Sequence, residues 1–421
     1  MSDDKDAKPD RHEKPRKSTP KLRDGVMKRG NTWSYVIRVP DPATGASKPK
    51  WVGGFETDEA AKAARDEARI RARRGEYVNR SVSTVADYLA EWVETHASTV
   101  KPKTLAGYRH DIDHYIVPRI GHMRLQALRP AVLSKLYRDL AEHGGQDGRP
   151  LSAWTVSHIH RTLRKALADA VHVEQLLAVN PAERSKLPRD GGTEPARVWT
   201  TEQLDAFLIT SRSHRLYAFY RLAAYTGARR GELLYLRWQA VDLDAAEVTF
   251  GGSTAVVRGK RVEGTTKGGR SRVVSIDRET VTILREHRGR QEEEREAAGL
   301  AWIDHDGLVF ATKWGESLYP DTVTWLMSKL INACNQSATV PEQVLPHARL
   351  HDLRHLHATT LLLAGVPVHV VAARLGHADP AVTLHVYSHV LREHALGVGD
   401  IFAQAVQASV SKSVSKPGRE D

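Results

Sequence analysis

The feature that most limits what this chain can fold into is a break. Asn180-Pro181, then Pro188 to Pro195 with Gly191-Gly192, is polar, rich in Gly and Pro, and without hydrophobic period. Such a stretch reads as an interdomain linker, set at 185–196. The chain on either side must then build separate cores, and its 421 residues leave room for two or three domains.

Ahead of the break the pattern changes twice. Residues 1–24 are charged and interrupted by proline, and read as a disordered tail with no signal-peptide core. A small sheet with one helix is expected over 25–80. Thr32 to Val39 and Lys50 to Phe55 have β-branched and aromatic strand character on either side of a turn from Pro40 to Gly45. The helix runs from the Thr57-Asp58 cap to Arg74, and Lys62, Arg65, Arg69 and Arg73 recur along it as a basic stripe. A DNA-facing surface and a solvated helix face explain that stripe equally well.

The region 83–184 reads as all helix. Val85, Tyr88, Leu89 and Trp92 form one apolar face after the Ser83/Thr84 cap, and Lys101-Pro102-Lys103-Thr104 opens a second helix carrying Tyr108, Ile112 and Tyr115. Leu133, Leu136, Tyr137 and Leu140 belong to a third helix ending at Gly144-Gly145, and Thr155 to Val173 is a fourth. Lys101, Lys103, Arg109, Arg161, Arg164 and Lys165 are left over as candidate phosphate contacts, each weak by itself.

Beyond the linker, 197–405 mixes helices with short strands, and 406–421 reads as a flexible tail. A helix starts at Thr200/Thr201, and another runs from His214 to Thr226 and stops at Gly227. Arg229 then lies between a helix end and the next helix start, where free N–H groups favour an anion. Glu247 to Phe250, Ala255 to Val257 and Arg272 to Ile276 are strand-like. Thr266 to Arg270 forms a flexible turn with Lys267 at its tip, and Lys260 on the preceding strand is the alternative lysine. Gln291 to Glu296 reads as a solvated helix face.

A net charge of +11 favours a polyanionic partner. The single cysteine, Cys334, excludes a disulfide framework and fits a reducing cytoplasm. The most apolar run, Leu361 to Leu375, contains Pro367, His369 and Arg374, so no membrane span is expected.

The most informative stretch lies from His351 to Tyr387. Gly365 with Pro367, and Gly376 with Asp379-Pro380, divide it into helices, and His351 with Arg354, His377 and Tyr387 sit near their ends. Two imidazoles, a guanidinium and a phenol suit a phosphoryl group. Arg offers a fixed fork to its oxygens, His can donate or take a proton, and Tyr can attack to form a phosphotyrosyl ester. No accompanying carboxylate pair suits a metal, so no cofactor is expected. His351-Asp352-Leu353-Arg354-His355 has two histidines at metal-binding spacing, but Arg354 between them opposes a dication. His355, His357, His369, His385 and His389 are left outside the site as ordinary packing or surface histidines.

Together these stations resemble the tyrosine recombinase (phage integrase) family, in particular integrases of actinobacterial mobile elements. The resemblance rests on Thr226-Gly227-Ala228-Arg229-Arg230-Gly231-Glu232-Leu233, Lys267 in its turn, His351-Asp352-Leu353-Arg354-His355, Leu375-Gly376-His377, and Thr383 through Tyr387-Ser388-His389. It implies a multidomain fold: an arm-type DNA-binding domain of small β-sheet plus helix, an all-α core-binding domain, and a mainly α (α+β) catalytic domain. It also implies chemistry. Tyr387 attacks a scissile phosphate, Arg229 and Arg354 clamp its oxygens, Lys267 protonates the leaving 5′-oxygen, His351 acts as base or orients the phosphate, and His377 donates to it. The implied partners are double-stranded DNA attachment sites and a homotetramer on synapsed DNA, with an excisionase and a host DNA-bending protein as candidate additions. A segment around Ile401 to Val406 would pack into a neighbouring protomer. The competing classes are a type IB topoisomerase and a catalytically silent DNA-binding protein. The N-terminal basic module and the two-region core stand against the first, which a need for a specific paired site would separate, and the intact Arg/Lys/His/Arg/His/Tyr set stands against the second.

Overall fold

The computed structural model describes residues 25–40, 46–73, 78, 81–189, 199–266, 269–377, 379–381, 383–384, 402–403 and 406. The expected tails, Lys267, Tyr387, most of the 185–196 linker and half of the 401–406 segment lie outside them. Two compact units emerge: one takes the residues up to Val100 and Gly107–Gly191, the other Lys101–Ala106 and everything from Gly192.

The first unit begins with an antiparallel meander, β1 (Val26–Arg29), β2 (Thr32–Pro40) and β3 (Ser47–Phe55). The strand β1 was not foreseen. It is only four residues long with one fully buried side chain, Val26, too little for an alternation to be visible. The helix α1 (Asp58–Arg73) covers the sheet, and Ala61 and Ala68 pack on Val26, Tyr35 and Ile37.

The helical part of this unit starts at α2 (Val85–His96), whose Thr84 side chain accepts from the Asp87 N–H while Asp87 reciprocates to the Thr84 N–H. The helix α3 (Pro102–Asp111), whose residues from Gly107 belong to this unit, passes without a break into a π-helical stretch, Ile112–Ile116, and then α4 (Val117–Ile120). Two longer helices follow, α5 (Pro130–His143) and α6 (Ala153–His172). Tyr88, Leu89, Trp92, Tyr137, Leu163 and Leu167 are fully buried among them. The polar tips of the aromatics are satisfied: the Tyr88 hydroxyl donates to the Ala166 carbonyl at 2.7 Å and the Trp92 indole to Asp169 at 2.8 Å.

In the second unit α7 (Thr201–Ser211), α8 (Tyr217–Thr226) and α9 (Arg230–Tyr235) lead into β4 (Val241–Asp242), β5 (Glu247–Phe250), β6 (Gly252–Val257), β7 (Lys260–Thr265) and β8 (Arg272–Ser275). The strands form two small antiparallel sheets, β4-β5-β8 and β6-β7, so Lys267 lies on the connection from one sheet to the other. The chain then runs through α10 (Arg278–Ala298), α11 (Pro320–Gln336), α12 (Leu350–Leu363) and α13 (Val368–Leu375). The core is aromatic and aliphatic, with Phe207, Phe219, Tyr220, Phe250 and Phe310 each buried. Burial of one such side chain contributes about 1.5–3 kcal/mol.

Two expectations change here. The helix expected from His214 begins at Tyr217, because the His214 ring accepts the Leu216 N–H and makes a turn instead. The run Gln291 to Glu296 is not simply solvated. Gln291 is buried, accepts from the Trp238 indole and donates to the Leu308 carbonyl, while Glu294 holds the Arg215 guanidinium. A charged run hides such a buried station when its polar partners are distant in sequence.

Candidate functional site

Glycine places the key residues. Gly227 ends α8 with φ +62° and Gly376 ends α13 with φ +69°, both in the left-handed region that other residues resist. The chain therefore turns sharply just before Arg229 and just before His377. A Cβ on Gly227 would lie 2.7 Å from Leu375 Cδ2, so the two helix ends meet closely.

Arg354 fills the space between them. It comes from the second turn of α12 and is buried, 2 % exposed. Its Nη1 donates to the Gly227 carbonyl at 2.7 Å and its Nη2 to the Leu375 carbonyl at 2.8 Å. Nη2 also lies 2.9 Å from His377 Nε2. Because a guanidinium has no acceptor, His377 Nε2 must carry its lone pair toward Arg354. The ring proton then sits on Nδ1, which faces the buried Thr383 hydroxyl at 2.7 Å. His377 is thus an acceptor toward Arg354, whereas the expected role is donation to a phosphate.

Arg229 stands at the start of α9. Its backbone N–H and its Nη1 both donate to Glu232, each at 2.9 Å, and Nη2 reaches toward the Gly376 carbonyl at 3.4 Å. His351 lies in the first turn of α12, and its ring meets that of His355 edge-on, 4.7 Å between centres.

The electrostatics bind these groups into one site. Partial desolvation, then the charges of Arg354, Arg229 and neighbouring groups, moves His377 down to about 4. Desolvation, then His355 and Arg354, does the same to His351, also about 4. Both rings are neutral at pH 7, and the site offers two fixed guanidiniums beside them. Glu232 runs the other way. Burial works against its charge, but the hydrogen bonds and charge of Arg272, with those of Arg229, hold its carboxyl below the usual range.

Arg229, His351, Arg354 and His377 are therefore brought together, while Lys267 and Tyr387 fall outside the described residues. Lys260, the alternative lysine, is exposed on β7. Among the expected DNA contacts, Arg69, Lys103 and Arg161 are exposed. Lys62 pairs with Asp58, Arg109 with Glu94, Arg164 with Glu183 and Lys165 with Asp169. One is placed otherwise than the stripe implies. Arg65 is buried, 8 % exposed, and paired with Asp66, because its position on α1 turns toward the meander. Lys101 is exposed as expected, and donates within its own unit to the Thr265 and Thr266 carbonyls at 3.1 and 2.7 Å. Of Arg73 only the place is described, the last residue of α1.

Sequence reading missed the groups that hold the site. Glu232, Arg272, Arg374 and Thr383 all support it. Only Glu232 carried a signal, its spacing of three from Arg229 being that of a capping pair.

The comparisons with known proteins cover all three regions. The Phage integrase family matches residues 197–394, its N-terminal SAM-like domain residues 84–141, and an Arm DNA-binding domain residues 26–70. A tyrosine recombinase XerC-like protein of Caldanaerobacter subterraneus subsp. tengcongensis is 27 % identical over 355 residues, 80 % of this chain and 87 % of the relative. The ICEBs1 integrase of Bacillus subtilis is 28 % identical over 294 residues, 69 % of this chain and 74 % of the relative. In fold, the Tn1549 transposon integrase solved with transposon right-end DNA matches with a TM-score of 0.65 at 20 % identity, over 76 % of this chain and 99 % of that one. The chain belongs to the phage integrase family and is a tyrosine recombinase, an enzyme that cuts and rejoins DNA.

Proposed function

We propose that the enzyme integrates a mobile genetic element, and excises it, by recombination between two double-stranded DNA attachment sites in the cytoplasm. The observation that carries this reading is the Arg229, His351, Arg354 and His377 cluster, with two guanidiniums fixed by main-chain and carboxylate partners and two imidazoles held neutral. Such a site offers positioned positive charge to a phosphoryl group.

The Tyr387 oxygen attacks phosphorus while His351 takes its proton. The approach of the phosphate raises the basicity of His351, since a nearby anion favours imidazolium. Arg229 and Arg354 hold the non-bridging oxygens as charge builds in the pentavalent transition state. The P–O5′ bond breaks, Lys267 gives its proton to the leaving oxygen, and a 3′-phosphotyrosyl link remains. A 5′-hydroxyl from the partner duplex reverses the steps and reseals the strand. Donation from His377 to a phosphate oxygen requires it to leave Arg354, which DNA entry supplies by giving the guanidinium a better acceptor. Exchange between two sites engages four protomers. An excisionase and a host DNA-bending protein would set direction. Arg69, Lys103 and Arg161, exposed on α1, α3 and α6, are the basic residues best placed to meet phosphates.

The test is a suicide-substrate assay in EDTA with nicked half-sites from DNA flanking the gene, wild type against Tyr387→Phe. A covalent protein–DNA band in wild type and none in the variant is expected. A band from Tyr387→Phe would overturn the assignment.

A further inference from the structure

Arg272 has no place in the phosphate chemistry above, yet all three of its guanidinium nitrogens are engaged beside it. It is the first residue of β8, shortly after the Lys267 turn, with a side chain only 10 % exposed. Nη1 and Nη2 donate to the two oxygens of Glu232 at 3.1 and 2.7 Å, and Nε donates to the Arg374 carbonyl at 2.8 Å. The group lies over the Phe250 ring at 4.8 Å. It also presses on Gly376, where an added Cβ would stand 2.9 Å from Nη1. Arg374 answers in kind, its guanidinium donating to the Ser275 carbonyl at 2.9 Å. The strand after the Lys267 turn and the helix before His377 are thus fastened to each other at both ends of β8.

Glu232 is the middle of this arrangement. Its side chain is 1 % exposed and accepts two bonds from Arg272 and two from Arg229. A carboxylate held bidentately on one side has little freedom on the other. Its orientation dictates where the Arg229 guanidinium points.

We propose that Arg272 is a positioning residue for strand cleavage, acting through Glu232 to hold Arg229 at the non-bridging phosphate oxygens. It is no phosphate ligand itself, because both nitrogens of its fork are taken by one buried carboxylate, Glu232. The proposal rests on the assignment of Arg229 to the phosphate.

The test is Arg272→Lys in the full chain, which keeps the charge and loses the fork. Single-turnover cleavage is read on three half-sites: an ordinary scissile phosphate, a neutral methylphosphonate, and a 5′-bridging phosphorothiolate. DNA binding and urea unfolding are followed in parallel. Misplacing a guanidinium by about 1 Å lowers cleavage of the ordinary phosphate on the order of 10²-fold. DNA binding should stay unchanged, and most of the loss should vanish on the methylphosphonate, whose neutral phosphoryl group needs less charge placed beside it. An equal loss on all three substrates would make the role merely structural and overturn the proposal. Recovery on the phosphorothiolate alone would also overturn it, since that substrate relieves the need for Lys267 and not for Arg229. Should Arg272→Lys fail to fold, Glu232→Asp withdraws the same carboxylate by one methylene and must give the same substrate pattern. Arg229→Ala is run alongside. If it cleaves the ordinary phosphate at the wild-type rate, the assignment of Arg229 fails; if it is inactive and Arg272→Lys is not impaired, only the present proposal fails.

Discussion

Replacing Arg354 by lysine tests whether one side chain both catalyses and holds the site together. The native fork reaches two main-chain carbonyls on different helix ends, Gly227 at 2.7 Å and Leu375 at 2.8 Å. A lysine ammonium is a point donor and can keep one of them at most. The change then loses one charge-assisted hydrogen bond and leaves a buried carbonyl without its donor, about 3 kcal/mol together. For a unit of this size that lowers the unfolding temperature by roughly 6–12 °C. Both glycine turns also lose their common anchor, so Arg229 and His377 should drift apart and cleavage should fall on the order of 10²–10³-fold. The assay is urea and thermal unfolding of the full chain, paired with single-turnover cleavage. A stability loss under about 1 kcal/mol would refute the claim that the fork ties the helix ends. Wild-type cleavage would refute its catalytic part.

Other outcomes follow from the same geometry. His287 is 2 % exposed, its Nε2 donates to the Val309 carbonyl, and burial pushes it down to about 4. Its folded-state value is below the ordinary 6.5, so the stability it contributes is present above pH 6.5 and lost as pH falls from 6.5 toward 4. The loss between pH 7 and pH 5 is about 2 kcal/mol, measured by urea unfolding, and His287→Gln should flatten that slope. His357, lowered to about 4 by burial and by Arg374, adds in the same direction. Gly227→Ala forces a left-handed φ on a residue with a Cβ and drives that Cβ to 2.7 Å from Leu375 Cδ2. It should cost about 1–3 kcal/mol in thermal unfolding and depress cleavage by moving Arg229.

The sequence made legible whatever depended on local pattern. Apolar spacing located Tyr88, Leu89 and Trp92 on one face of α2, and Gly227 and Gly376 announced the turns that aim Arg229 and His377. It could not show which polar groups are buried, because that depends on partners far along the chain. Gln291 looked solvated until Trp238 and Leu308 came against it, and Arg65 looked like a stripe residue until the meander covered it. The supporting residues were hidden for the same reason. Arg272 and Arg374 are ordinary cations in sequence, and their partners lie on β8, α9 and α13.

This distribution has a physical logic. The groups assigned to the phosphate are cationic or neutral, and several positive charges held together repel one another. Burial first, and then the charges around them, lower both His351 and His377. Glu232 offsets part of the repulsion from beneath, and Asp352 is drawn away by Arg349 at the start of α12. Among the described residues the site therefore keeps an excess of positive charge. An incoming phosphate is the group that completes the balance. On the proposed assignment, affinity for the scissile position and its activation come from one source, and relaxing the arginines for stability would weaken the chemistry.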